Sequence, residues 1–139
     1  MTKEDVVQAW MSKADHDLIN ARNTLNLKKD CPYDTACFHA QQAVEKYIKA
    51  LLCHLQIEFP KIHDIGELIS LLPVDARAKI SEADWGRFSN YAVAARYPAF
   101  GDDPSREESQ EALVVAERVK ADVSKLIHEG FERKSGKFR

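Results

Sequence analysis

Hydrophobic and polar positions separate most cleanly along residues 36–55. At about 100° per residue on a helix, Ala40, Ala43, Val44, Tyr47, Ile48, Leu51 and Leu55 form one wide apolar stripe. His39, Gln42, Lys46 and Lys49 fall within an arc of about 80° on almost the opposite side. That arc is either ordinary solvated surface, a tie to a neighbouring helix through buried hydrogen bonds, or a site for something anionic. The pattern predicts a helix over residues 34–56, with Asp34 as its N-cap.

Similar periodicity marks the rest of the chain. Val6, Trp10, Ala14, Leu18, Ala21 and Leu25 recur at steps of three or four and predict a first amphipathic helix over residues 3–27, packed on the second as an antiparallel hairpin. Asp64-Ile-Gly-Glu67 has the spacing of a capping box and opens a short helix over 64–72, which Pro73 stops. Asp75 is placed to cap another short piece over 75–80. Ala83, Phe88, Tyr91, Ala92 and Ala95 predict a helix over 83–96. After a loop over 97–104 with two prolines and a glycine, Ser105-Arg-Glu-Glu108 forms a second capping box. Ala112, Val115, Ala116, Val119, Val123 and Leu126 then carry a last helix to residue 129. The reading is all-α: an antiparallel up-and-down bundle of about five helices in one domain over 1–130, with a loose basic tail over 131–139.

Composition agrees with long elements and few loops. Of 139 residues, 45% are hydrophobic and 30% charged, with only five Gly and five Pro. The formal net charge of −2 supplies no overall field toward nucleic acid or lipid, so any recognition of phosphate must be local. Three cysteines, Cys31, Cys37 and Cys53, show no Cys-x-x-Cys spacing; they suit a reducing cytoplasm, with Cys37 and Cys53 as small core residues. The polar, acidic opening and the lack of a long apolar run lead us to expect a cytoplasmic protein that is neither exported nor membrane-spanning.

Several separated motifs then coincide. Trp10-x-x-Lys-Ala14-x-x-Asp17-Leu18-x-x-Ala21, Phe38-His39-Ala-Gln-Gln42-Ala-x-Glu45-Lys46-x-x-Lys49-Ala, His63-Asp-Ile-x-x-Leu68 and Tyr91-x-x-x-x-Arg96-Tyr97-Pro98 together resemble the HEPN (higher eukaryotes and prokaryotes nucleotide-binding) domain over about residues 8–128. The resemblance implies a helical bundle, often dimeric, and frequently encoded beside a minimal nucleotidyltransferase. It also implies, for some members, toxins that cleave RNA without metal, using an Arg followed about four to six residues later by His. Arg77, Arg87, Arg96, Arg106 and Arg118 all lack a histidine at that distance. The departure argues against ribonuclease activity. The tyrosine that a partner nucleotidyltransferase would modify in that toxin subtype is missing with it.

The candidate ligand-binding residues are therefore His39, Gln42, Lys46, Lys49, His63, Arg96 and Tyr97. Lysines and amides on one helix face supply fixed charge and hydrogen bonds to a phosphate. His63 precedes a helix N-terminus, where donors and the dipole favour an anion; otherwise it closes a turn. Arg96 beside Tyr97 would hold a phosphate while the ring stacks on a base; otherwise both are structural. Glu45 is placed to pair with Lys49 at four-residue spacing. Asp15-His16-Asp17 cannot converge on one metal, since adjacent helical residues point about 100° apart. No catalytic residue, metal or cofactor is expected. The leading reading is a non-catalytic, homodimeric module for a nucleotide or phosphate-bearing ligand, or for a nucleotidyltransferase partner. The alternatives are an RNA-cleaving toxin pairing Arg96 with His39 or His63, and a structural homodimeric scaffold.

Overall fold

A computed structural model of the chain describes residues 1–97 and 103–131. Six helices follow one another within them: α1 (Lys3–Leu25), α2 (Tyr33–His54), α3 (Ile65–Ser70), α4 (Val74–Arg77), α5 (Trp85–Ala94) and α6 (Arg106–His128). The fold is all-α, as the periodicity predicts; the four-residue α4 is what takes the number past five. No helix among the described residues is long and apolar enough to cross a membrane. Most of the expected 97–104 loop and 131–139 tail, residues 98–102 and 132–139, lies outside the described residues.

Polar contacts fix the directions of the long helices. Lys3 reaches the carbonyl of His54 while Asp15 accepts from Tyr47 and Asp17 from Lys46, so α1 and α2 run antiparallel. Arg22 pairs with Glu117 and Lys120 with Asp15, so α1 and α6 are antiparallel too. It follows that α2 and α6 run the same way, and α3 to α5 carry the chain back between them.

The second helix is the axis of this arrangement. It packs against α1, α3, α5 and α6, and 13 of its 22 residues are buried, against four of 23 in α1. The reason lies in its small side chains. Ala36, Ala40, Ala43 and Ala50 are buried, and Ala40 and Ala43 share one core cluster with Ala14 and Ala21 of α1 and Ala112 and Ala116 of α6. Small residues at a contact let helix axes approach closely. Tyr47, Ile48, Leu51 and Leu52 then fill the space between them. Cys37 belongs to this core, and burial pushes its thiol up to about 12, leaving it an inert, protonated filler.

Caps account for most helix boundaries, with instructive exceptions. Asp64, Asp84 and Ser105 each accept from the backbone N–H three residues on. Asp34 does not cap α2: the helix starts one residue earlier, after Pro32, whose extended φ and ψ turn the chain into it. Asp34 instead accepts from the N–H of Thr35. In the same way α4 starts after Pro73 rather than at Asp75. Before both helices a proline's fixed φ directs the chain into the first turn, and no N-cap side chain accepts a hydrogen bond there. At the far end of α2, Gln56 takes a left-handed φ of 58°, and the N–H groups of Gln56 and Ile57 close on the carbonyls of Cys53 and Leu52. Gly130 ends α6 through the same pair of bonds.

One capping-box residue has another task. Glu108, which the backbone of Ser105 also helps to hold ionised, accepts from Tyr91 (3.0 Å) and Arg87 (3.2 Å) as well and clamps α5 onto α6. Burial works to raise the Glu108 carboxyl, but the hydrogen bonds from Tyr91 and Arg87 outweigh it and hold the group below the usual carboxylate range. A carboxylate depressed in the folded state stabilises it above the ordinary Glu value of 4.5, and that contribution fades as pH falls through the depressed pKa. Glu108→Gln is therefore expected to cost about 1 kcal/mol at pH 7 and to converge on the parent at acid pH. Urea unfolding at about pH 7 and about pH 3 checks this; an equal gap at both would mean the charge is not used.

Candidate functional site

Because α2 is enclosed, its polar arc is not a solvated face. Lys49 is buried and donates to Glu45, one helical turn back, at 2.9 Å. Its ammonium also lies over the rings of Trp10 (5.4 Å) and Phe59 (5.7 Å). Glu45 is buried as well and accepts from Gln41 (3.2 Å) and from Nδ1 of His63 (3.0 Å). The side chain of Glu45 is 4% exposed and that of His63 74%, so the imidazole roofs a carboxylate that water barely reaches. Three donors around one carboxylate offset the several kcal/mol that burying an ion costs.

A second cluster adjoins the first. Asp17 of α1 accepts from His39 at 3.0 Å and from Lys46. Lys46 also donates to Gln42 (3.3 Å), which donates to Gln41 (2.7 Å). A continuous hydrogen-bonded chain thus runs from His39 through Asp17, Lys46, Gln42 and Gln41 to Glu45, Lys49 and His63. Asp17 neutralises Lys46 and Glu45 neutralises Lys49. Neither lysine, nor His39, lines the cavity described next. Asp15 and Asp17, adjacent to His16 in sequence, turn to different neighbours: Asp15 to Tyr47 and Lys120, Asp17 to His39 and Lys46.

The other candidate residues do converge. Gln42 from α2, His63 from the segment before α3, and Arg96 and Tyr97 from the end of α5 line one cavity of about 400 Å³, together with Asp64, Ser89, Asn90, Ala92 and Val93. This is within the range of small-molecule sites, about 300–1,000 Å³. Arg96 lies over the ring of Phe38, 5.5 Å from its centroid, and has no carboxylate partner among the described residues. The ring fixes the guanidinium plane without neutralising it. A carboxylate has only acceptors to offer, so Nδ1 of His63 carries the proton toward Glu45, and in the neutral ring Nε2 is left as an acceptor.

Ser89 and Asn90 went unrecognised as site residues. Ser89 accepts from the N–H of Ile65 and ties α5 to α3, leaving Asn90 as an added amide at the cavity. Ser89, Val93 and Arg96 recur at four and three residues, which puts them on one helix face. That spacing was the available signal. A helix whose boundary was set by scattered alanines hid it. Pro98, third in the Arg-Tyr-Pro motif, lies outside the described residues.

The chain is an all-α helical protein in which a cation, an imidazole and amides line one small cavity. The family follows from comparison with known proteins. The model of the HEPN domain matches residues 7–126, and the chain belongs to the HEPN family. Its fold is similar to the crystal structure of TT1696 from Thermus thermophilus, at 30% identity over 86% of this chain and 96% of that one, with a TM-score of 0.67. It is also similar to ST0689, described as an archaeal HEPN homologue, at 26% identity over 87% and 97% of the two chains, with a TM-score of 0.65. No curated protein is significantly similar to it.

The buried pair behind the cavity makes a measurable prediction. Removing one member of a buried ion pair costs about 3–5 kcal/mol because the other is left uncompensated. Glu45→Leu should be the more damaging change, since Lys49 then keeps only ring faces, whereas Lys49→Met leaves Glu45 with Gln41 and His63. The double variant should be more stable than the sum of the single changes implies. Urea unfolding of all four proteins measures the coupling; strict additivity would show that the pair does not act as a unit.

Proposed function

We propose that this HEPN protein is a non-catalytic binding module whose ligand is a nucleotide or another phosphate-bearing molecule, held in the cavity between α2, the start of α3 and the end of α5. The observation that carries the reading is the convergence of Gln42, His63, Arg96 and Tyr97, from three separate segments, on one cavity whose guanidinium pairs with no carboxylate among the described residues. Arg96 takes the phosphate, since a guanidinium matches its oxygens two at a time. Tyr97, exposed beside Val93, offers a ring to a base. Asn90 and Gln42 supply hydrogen bonds that discriminate among ligands. Lys46, Lys49 and His39 serve the site by fixing α2 rather than by touching the ligand. The family resemblance adds the expectation of a homodimer acting alone or with a minimal nucleotidyltransferase.

A thermal-shift titration with ATP, GTP and a short single-stranded RNA tests this. Ligand at about 100 times its dissociation constant should stabilise the fold by about 2.7 kcal/mol, and Arg96→Ala and Tyr97→Ala should lose the shift while keeping the parent's helix content. The absence of a shift with every ligand would sink autonomous binding and leave the scaffold reading.

One observation favours a second reading. His63, oriented by Glu45, and Arg96 line the same cavity, which would supply an acid–base imidazole and a charge-stabilising cation for cleaving RNA without metal. His39 does not line that cavity, so the reading rests on His63. Growth arrest on expression, relieved equally by His63→Ala and Arg96→Ala, would support it; unimpeded growth counts against it.

A further inference from the structure

We propose that a second, separate cavity, between the α1–α2 turn and the start of α6, binds a phosphoryl group. Its volume is about 420 Å³, and Lys28, Lys29 and Arg106 line it against a single carboxylate, Asp30. Tyr33 and Gln110 add a phenol and an amide. None of its three cations enters an ion pair among the described residues. Like charges gathered without partners repel one another, and a dianion relieves that repulsion. The combination of a guanidinium fork with two point-charge ammoniums suits phosphoryl oxygens better than a single carboxylate ligand.

The walls are held in place. Asp30 takes a left-handed φ of 54°, and the thiol of Cys31 donates to the carbonyl of Thr24 at 3.1 Å, binding the turn to the last turn of α1. Ser105 caps α6 and so sets Arg106 as its first residue. Of the acids at the start of α6, Glu107, Glu108 and Glu111 do not line the cavity, and Glu108 is occupied by Arg87 and Tyr91. No residue is shared with the cavity of Arg96, so the two sites can fail independently.

Two sources would supply this chemistry, a free phosphate ester and a polynucleotide backbone. Titration of isotope-labelled protein with inorganic pyrophosphate, followed by amide NMR, is expected to give saturable shifts at residues 28–33 and 106–110. Lys29→Ala/Arg106→Ala should weaken the binding read at those residues by about tenfold or more, and Lys79→Ala, which removes a cation outside both cavities, should leave it unchanged. Absent or unsaturable shifts would overturn the proposal, as would binding that the double variant retains in full. Anisotropy with a labelled single-stranded RNA of about ten nucleotides separates the sources. Tighter binding than pyrophosphate, with a salt slope that falls by about 0.7 for each cation removed, assigns the site to a polynucleotide; weaker binding assigns it to a free ester.

Discussion

Enclosing α2 on nearly every side obliges each polar side chain it carries to find its partner inside the protein, because an unpaired buried charge costs a large part of the stability of a fold this size. Glu45 and Lys49 satisfy each other within the helix. Lys46 and His39 need α1, and Asp17 is placed there to meet both. The alanines that let α1 and α6 close on α2 therefore also dictate the hydrogen-bonded chain along it. Packing and electrostatics are one constraint in this helix. An antiparallel register slipped by one turn would separate Asp17 from Lys46 and leave two ions unpaired.

The same constraint explains which parts of the sequence were legible. Helix positions followed directly from apolar periodicity, since a stripe at steps of three and four reports burial of one side. The opposite arc of α2 was ambiguous for a physical reason: a polar side chain looks the same in sequence whether water or a carboxylate faces it. Only Asp17, on another helix and far off in sequence, decides the matter for His39 and Lys46. The pairing of Glu45 with Lys49 was legible because both lie on one helix at four-residue spacing. Asp34 and Asp75 misled as caps because the neighbouring prolines had already fixed the turn into each helix. Glu108 had the spacing to reach back toward Ser105, whose backbone does act on it, but nothing local showed that Tyr91 and Arg87 on another helix would donate to it too.

The cavity at the end of α5 was half legible. Arg96, Tyr97 and His63 stood out as residue types, whereas their convergence depends on α5 lying beside α2 and the start of α3. Ser89 makes that placement through the N–H of Ile65, and Phe38 holds Arg96 from the side of α2. Neither contact follows from local spacing. A ring rather than a carboxylate beneath Arg96 matters for chemistry, because it orients the guanidinium while leaving its charge available.

Rigid placement links the two cation-lined cavities. Arg87 and Tyr91 on α5 and Glu108 on α6 form one clamp, and the cations of the two proposed sites lie to either side of it: Arg96 a little beyond Tyr91, Arg106 two residues before Glu108. A ligand that draws Arg96 toward itself pulls on a helix whose other end is fastened to α6. Binding geometry is held best when supporting contacts lock the elements that carry it, and Glu108 supplies that support to both sites at once. The energy it contributes is small beside the core, but it acts where a displacement of about 1 Å decides whether a cation meets a phosphate. The same carboxylate is also held by the backbone of Ser105, so the start of α6 and the end of the clamp meet on one side chain.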